Sequence, residues 1–152
     1  MTSAFVGPHS PMDGTYAIGN FIENAQKGEP IDVSGDGTPF RSYFYAADLA
    51  LWLWTILIRG KSMTAYNVGS DEDLTIEAVA NIVASTCQGV VQIKNKAQAG
   101  ALLQRYVPDI SQAKEELGLN VFTELKFGLE KTIEWHRMNN GNHHREASIN
   151  EG

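Results

Sequence analysis

The stretch GDGTPFRSYFYAADLALWLW, residues 35–54, decides how the chain is read, because a glycine-rich turn, an aromatic strand and an apolar helix follow one another without a gap. Gly35-Asp36-Gly37-Thr38-Pro39 gathers the residues that punctuate structure, and Phe40 to Tyr45 has the aromatic content of a strand. The two-residue period of a strand puts Phe40, Ser42 and Phe44 on one side and Arg41, Tyr43 and Tyr45 on the other. Asp48 stands where a cap for the next helix is needed. From Leu49 to Ile58 that helix is apolar all round except at Thr55, as expected of a helix sandwiched between a sheet and a further layer. A membrane crossing needs roughly 20 apolar residues, and this run is about half that length, so it predicts a buried helix.

Working outward, SAFVG at residues 3–7 reads as a strand turned by Gly7-Pro8. Ala17, Ile18, Phe21, Ile22 and Ala25 form one helical stripe between Tyr16 and Lys27, with Gly28 placed to end it in the left-handed conformation. Ile31 to Val33 predicts a short strand, forming a hairpin with, or lying beside, the strand from Phe40 to Tyr45. Met63 to Val68 predicts another strand. Thr75 is placed as the N-cap of a helix with Ile76, Val79, Ala80, Ile82 and Val83 on its inner stripe. Val90 to Lys94 is a further strand candidate, while residues 95–104 give no pattern. Asp109 and Gln112 have capping-box spacing before a short helix stopped by Gly118. Thr123 caps a last helix whose inner stripe is Leu125, Leu129, Ile133 and His136, and residues 139–152 are expected to form a flexible tail with almost nothing to bury. Strands alternating with helices predict an α/β fold, with a boundary near residue 70.

The 152 residues suffice for one domain with a core. A net charge of −6 disfavours nucleic acid and anionic membrane as partners, so an anionic ligand would need a local cationic site. Cys87 is the only cysteine, which excludes an internal disulfide and suits a reducing compartment. The first ten residues do not read as a signal peptide, and the cytoplasm is the expected location. His9, His136, His143 and His144 lack carboxylates or cysteines at ligand spacing, so no metal site is predicted. No nucleophile elbow, phosphate loop, zinc motif or glycine-rich dinucleotide fingerprint occurs. Arg41 has two readings: a strand arginine paired with a surface carboxylate such as Asp36 or Asp48, or a planar five-donor fork that grips a phosphate.

Four patterns then occur in order. They are G-D-G-x-x-x-R-x-[FYW]-x-Y-x-x-D-L from Gly35, Y-N-V-G from Tyr66, R-Y-x-x-D from Arg105 followed by an E-L-G helix end, and G-L-x-K-T-I-x-W from Gly128. In these, residues 5–138 resemble the carboxyl-terminal half of NAD-dependent nucleotide-sugar epimerases and dehydratases, which are extended short-chain dehydrogenases. The resemblance implies partial Rossmann-type sheet elements plus the small α/β substrate-binding domain of that group. Residues 1–70 would be the remnant of the cofactor-domain sheet, with the nucleotide-binding hairpin and the buried helix, and residues 71–138 the nucleotide-sugar domain. It further implies that Arg41 contacts the nucleotide diphosphate, that Arg105, with Tyr106 beside it in the R-Y pair, does so from the other side, and that Val33 and Ser34 form the loop against which the base rests. Tyr66 to Gly69 would add a strand to the cofactor domain's sheet.

The chain departs from that group at Ser42, where an aspartate is usual, at Ala4 for an asparagine and at Ser34 for an aromatic, and KAQAGALLQ at 96–104 replaces the R-P-G stretch before the second arginine. The group's NAD loop, its Y-x-x-x-K pair and its nearby serine or threonine would precede residue 1, so no catalytic or cofactor-binding residue is expected within the chain, NAD being the cofactor of the complete family enzyme. Two functions follow from the resemblance. One is the nucleotide-sugar-binding portion of an epimerase or dehydratase, taking a UDP-, dTDP- or GDP-sugar and able to assemble with a separate NAD-binding half. The other is a non-catalytic binding or interaction module derived from that group. Under both, apolar surface around Phe5, Val6 and the Trp52/Trp54 helix is expected to favour self-association.

Overall fold

A computed structural model describes residues 4–12, 16–96, 102 and 104–149, with side chains as far as residue 139. The elements are β1 (Ala4–Val6), α1 (Ala17–Lys27), β2 (Ile31–Val33), β3 (Phe40–Arg41), β4 (Tyr43–Tyr45), α2 (Ala46–Arg59), β5 (Leu74–Thr75), α3 (Ile76–Cys87), β6 (Val91–Ile93), β7 (Arg105–Tyr106), α4 (Ser111–Leu117) and α5 (Leu125–Ile149). The α/β class is as expected, with the strands gathered in small sheets. β1 pairs with β4 and β2 with β6, both parallel, while β3 lies between antiparallel β5 and parallel β7.

Residues 31–33 and 40–45, expected to form a hairpin or to lie side by side, do neither. β2 runs parallel to β6 instead, in the register Ile31↔Val91 to Val33↔Ile93. The aromatic stretch is also two strands rather than one: it breaks at Ser42, so that β3 joins one sheet and β4 another. Elements on either side of residue 70 pair and pack together, β2 with β6, β3 with β5 and β7, and α1 with α3.

β4 separates two apolar clusters. Tyr43 turns into the larger, with Val6, Phe21, Ile31, Val79 and Leu129, and Phe44 into the smaller, with Trp52, Ile110 and Leu117. Alternating side chains therefore feed both clusters from adjacent positions, the arrangement of a parallel strand covered on both faces. Phe44 meets Trp52 edge to face, with ring centroids 5.3 Å apart, a favoured aromatic geometry. The Trp52 indole N–H donates to the Asn120 carbonyl at 2.9 Å, which satisfies the one polar atom of a fully buried ring.

Several local expectations hold. Gly28 closes α1 at φ 73° and Gly118 closes α4 at φ 70°, both in the left-handed region that only glycine enters cheaply. The Thr75 hydroxyl accepts from the Ala78 N–H at 3.0 Å, and Val79, Ala80 and Val83 are buried. Leu125, Leu129 and Ile133 are buried along α5 as expected. His136 is half-buried, with Nε2 buried and without a hydrogen-bond partner, and burial, then the charge of His9, pushes its pKa down.

Other expectations fail for reasons that lie in long-range bonds. Asp48 does not cap α2, which begins at Ala46 with Tyr45 at the N-cap position. Its buried carboxylate instead accepts from the Phe122 N–H (2.9 Å), the Thr123 N–H (2.9 Å) and the Thr123 hydroxyl (2.8 Å), which ties α2 to the segment before α5. The Thr123 hydroxyl is thus a donor to Asp48. No strand covers Met63 to Val68, where Val68 makes an isolated bridge. Side chains hold that segment to the region of α4: the Tyr66 hydroxyl donates to Glu116 at 2.7 Å and the Asn67 amide to the Asp109 carbonyl at 2.9 Å. α5 continues through residue 139 to Ile149, across most of the stretch expected as a tail; residues 150–152 lie outside the described part.

The expectation of a buried helix at 49–58 is corrected most strongly. Trp52 is fully buried, but Trp54 is 64% exposed and Ile58 75%, so α2 has one packed side and one bare side. Around β1, Phe5 is exposed and Val6 buried. Among the described residues no helix is long and apolar enough to cross a membrane.

Two predictions follow from this packing. Hydrogen bonds to a charged group contribute about 1.5–3 kcal/mol each and stranded donors add a penalty, so Asp48→Ala is expected to lower the unfolding free energy by about 3 kcal/mol in urea titration, and Asp48→Asn by less. Burial pushes the Tyr43 phenol up to about 12, with the nearby Arg41 guanidinium pulling the other way. Because the unfolded phenol ionises near 10, the unfolded chain loses its proton first, and stability falls as pH rises from about 10 towards 12. A tyrosinate absorbance titration should show a late component near 12 that Tyr43→Phe removes.

Candidate functional site

The turn before β3 is held rigidly from within. The Asp36 carboxylate accepts from the Thr38 N–H at 3.1 Å and the Thr38 hydroxyl at 2.9 Å, bonds that keep its pKa below the usual carboxylate range, the backbone donor first. Gly37 sits at φ 76°, and a Cβ there would come within 2.9 Å of the Glu77 Cβ. Its carbonyl accepts from the Glu77 N–H at 3.1 Å, and that of Pro39 from the Ile76 N–H at 3.1 Å. The turn is therefore docked onto the first turn of α3, and Phe40 and Arg41 emerge from a fixed base.

Arg41 is half-buried, and neither carboxylate suggested for it by the sequence is its partner, because Asp36 is turned to Thr38 and Asp48 to Thr123. One Nη1–H donates to the Phe40 carbonyl at 2.8 Å. Among the described residues the guanidinium makes no ion pair. Three cavities border it. One of about 240 Å³ is lined by Val33, Ser34 and Gly35 together with Asn20, Phe21 and Asp32. A second, of about 510 Å³, is lined by Tyr106, Ser42, Tyr16, Phe5 and Ser10. A third, of about 180 Å³, reaches Tyr43 and Ile76.

Four of the five residues expected at a site, Arg41, Val33, Ser34 and Tyr106, thus line cavities that meet at one guanidinium. Arg105 is placed differently. β3 and β7 run in register Phe40↔Arg105 and Arg41↔Tyr106, so the partner across from Arg41 is Tyr106, and alternation sends Arg105 to the opposite face of the sheet. There its Nε–H donates to the Asp73 carboxylate at 2.9 Å. The structure does not bring the two arginines together on one face. Residues 97–101 and 103, within the stretch that replaces R-P-G, lie outside the described part.

Tyr16, Asn20, Asp32 and Ile76 are site-lining residues that the sequence reading missed. Tyr16 and Asn20 sit at the start of α1, off its apolar stripe, and Asp32 lies on the outer side of β2 in an ion pair with Lys94 at 2.8 Å. Nothing in local pattern marks them. Ile76 could have been found, since it follows the Thr75 cap onto which the glycine-rich turn docks. A further cavity, of about 530 Å³, lies away from Arg41 between the loop after β1, α1 and α5. Its Lys27 is bonded to Glu23 at 2.6 Å, and His9 and His136 flank Trp135 at ring separations of 4.2 and 4.8 Å. Among the described residues no three His, Cys, Asp or Glu side chains converge as a metal site would require.

Around Arg41 the chemistry is that of recognition. A planar cation with spare donors can take a phosphate in a forked pair of charge-assisted bonds, and the aromatic walls of Phe5, Tyr16 and Tyr106 suit a ring laid against them.

Residues 1–69 match the NAD dependent epimerase/dehydratase family. UDP-glucuronic acid decarboxylase 6 of Arabidopsis thaliana is 31% identical over 135 residues, which is 89% of this chain and 39% of that protein. UDP-glucuronic acid decarboxylase 1 of Danio rerio is 31% identical over 140 residues, 88% of this chain and 33% of that protein. Among solved structures, UDP-glucose 4-epimerase of Thermotoga maritima, with UDP-glucose, superposes at a TM-score of 0.77 with 22% identity, over 91% of this chain and 45% of that one. dTDP-glucose 4,6-dehydratase of Bacillus anthracis, in complex with NAD, superposes at 0.78 with 20% identity, over 91% of this chain and 43% of that one. The chain spans less than half the length of these relatives. In sequence the chain is similar to NAD-dependent epimerases, dehydratases and decarboxylases of this family, and its fold is shared with the corresponding part of the solved structures.

Proposed function

We propose that the chain is the nucleotide-sugar-binding portion of an NAD-dependent epimerase or dehydratase, with the diphosphate of a UDP-, dTDP- or GDP-sugar held by Arg41. The observation that carries this reading is a half-buried guanidinium without an ion pair among the described residues, bordered by one cavity along Val33–Gly35 and a larger one along Tyr106 and Tyr16. A nucleoside diphosphate sugar has the matching form: two bulky ends joined by a doubly charged centre. The base rests against Val33 and Ser34, and the sugar enters the cavity bordered by Ser42 and Tyr106. The relatives' names support the substrate class, since they include UDP-glucuronic acid decarboxylases and an epimerase solved with UDP-glucose.

Arg105 joins the diphosphate in this reading only by leaving Asp73 and changing face, so Arg41 is the principal anchor. Hydride chemistry at the sugar belongs to the complete family enzyme, with NAD and the tyrosine–lysine pair supplied by a cofactor-binding half, and the chain alone is inactive.

Calorimetric titration with UDP-glucose, UDP-glucuronate, dTDP-glucose and GDP-mannose tests the reading. At least one is expected to bind, with Arg41→Ala weakening it by about tenfold or more, since a charged hydrogen bond contributes about 1.5–3 kcal/mol. Arg105→Ala should cost less. If no nucleotide sugar binds at millimolar concentration, or if Arg41→Ala binds as well as the unaltered chain, the diphosphate assignment is wrong. NAD added alone should give no binding heat, and a measurable complex would show that the chain is a different portion of the fold.

A further inference from the structure

The loop after β1, residues 7–12, joins α5 to the cavity at Arg41. His9 stands in it at φ 65°, in the left-handed region that a side chain rarely enters unless its surroundings hold it there. Its exposed ring lies against Trp135 of α5 with centroids 4.2 Å apart, and His136 meets the same indole edge to face at 4.8 Å. Nε2 of His136 is buried and without a hydrogen-bond partner. Further along the loop the Ser10 N–H donates to the Gly7 carbonyl at 3.1 Å. Pro11 then passes so close to α1 that a Cβ on Gly19 would lie 2.5 Å from its carbonyl oxygen. Ser10 borders two cavities at once, the one between this loop, α1 and α5 and the larger one at Arg41, which Pro11 also lines.

We infer that Trp135 and His136 are positioning residues for the larger cavity at Arg41: with His9 they clasp the loop that forms its Ser10–Pro11 wall, and protonation of His136 opens the clasp. The closed clasp needs a neutral His136, because charging a ring whose Nε2 is buried costs solvation. One imidazolium against an indole is attracted to it, but two on the same indole repel each other. Burial, then the charge of His9, holds the His136 pKa below its ordinary 6.5 while the clasp is closed. Opening returns the ring to water and to that ordinary value. The open form therefore takes the proton first, and the clasp loses stability as pH falls below about 6.5. Other charges near the clasp have partners of their own. Glu23 and Lys27 of α1, which line the same cavity, bond to each other at 2.6 Å. On α5, Glu134 pairs with Lys131 at 2.9 Å, and Arg137 donates to the Cys87 Sγ of α3 at 3.6 Å. Among the described residues no carboxylate pairs with either histidine, so no counter-charge offsets the second proton. That the wall faces a nucleotide sugar rests on the function proposed for Arg41, whereas the clasp itself does not.

NMR of the isotopically labelled chain from about pH 7.5 to about pH 5 tests the clasp without ligand. The His136 ring signal should titrate below 6.5. A cross-relaxation peak between the His9 and Trp135 rings should be present at the upper end and fade through that titration. Amide exchange at Ser10, corrected for its intrinsic rate, should quicken several-fold over the same interval. His136→Phe keeps an edge-on ring with no proton to take, and should remove the pH dependence of the exchange. His9→Asn keeps a residue that tolerates the left-handed backbone but has no ring, and should leave Ser10 exchanging fast at every pH. UDP-glucose, whose diphosphate keeps its charge across this range, should bind several-fold more weakly at about pH 5.5 than at about pH 7.5, and equally weakly at both in His9→Asn. The inference is overturned if His136 titrates at or above 6.5, if Ser10 exchange does not follow that titration, or if His136→Phe keeps the pH dependence. It is overturned equally if the loop loosens and UDP-glucose binds alike at both pH values. UDP-glucose that binds at neither pH overturns the function proposed for Arg41 instead, and the clasp then stands or falls on the ring contact and the Ser10 exchange.

Discussion

The structure depends on burying Tyr43 and Phe44 on opposite sides of one short strand. Side chains at neighbouring strand positions point to opposite faces, so β4 commits the chain to two apolar clusters at once. No charge could be tolerated at either position without a partner, because transferring an ion from water into such surroundings is costly. The arginine therefore sits two residues before Tyr43, in β3, where the strand has broken at Ser42 and the cover is thinner. Its place is set by what the following residues must bury.

The carboxylates are distributed in a way that sharpens this. Asp36 is consumed by its own turn, Asp48 by the segment before α5, Asp73 by Arg105, Asp71 by Lys114 and Asp32 by Lys94. In a chain with an excess of acids, an arginine without an ion pair among the described residues has been denied the counter-ions that composition made plentiful. A partly desolvated cation left in that state favours an anion brought from outside, and the forked geometry of guanidinium favours a phosphate oxygen pair over a single point charge.

Local chemistry was legible in the sequence wherever a residue acts on its immediate neighbours. Gly28, Thr75 and Gly118 end or begin helices through backbone groups within four residues, and each was placed correctly. Asp48 was misread because its partners lie 74 and 75 residues away, and a carboxylate near a helix start looks the same whether it caps that helix or reaches across the molecule. Met63 to Val68 has the composition of a strand, yet Tyr66 and Asn67 spend their polar atoms on the neighbourhood of α4, and no ladder forms. The site was half legible for the same reason. Motif order marked Arg41, Val33, Ser34 and Tyr106, but the face on which Arg105 emerges follows from a register of one residue between β3 and β7, which no motif encodes.

The uniform apolarity of α2 carries a different lesson. Periodicity could not say which side packs, because almost every position qualifies, and the fold resolves the ambiguity with Trp52 buried at the centre and Leu49 and Ile56 packed beside it. Trp52 enters the cluster beyond Phe44, whereas Arg41 borders Tyr43 on the other face of β4, so the strand that requires two clusters also keeps the bare side of α2 apart from the cavities at the guanidinium.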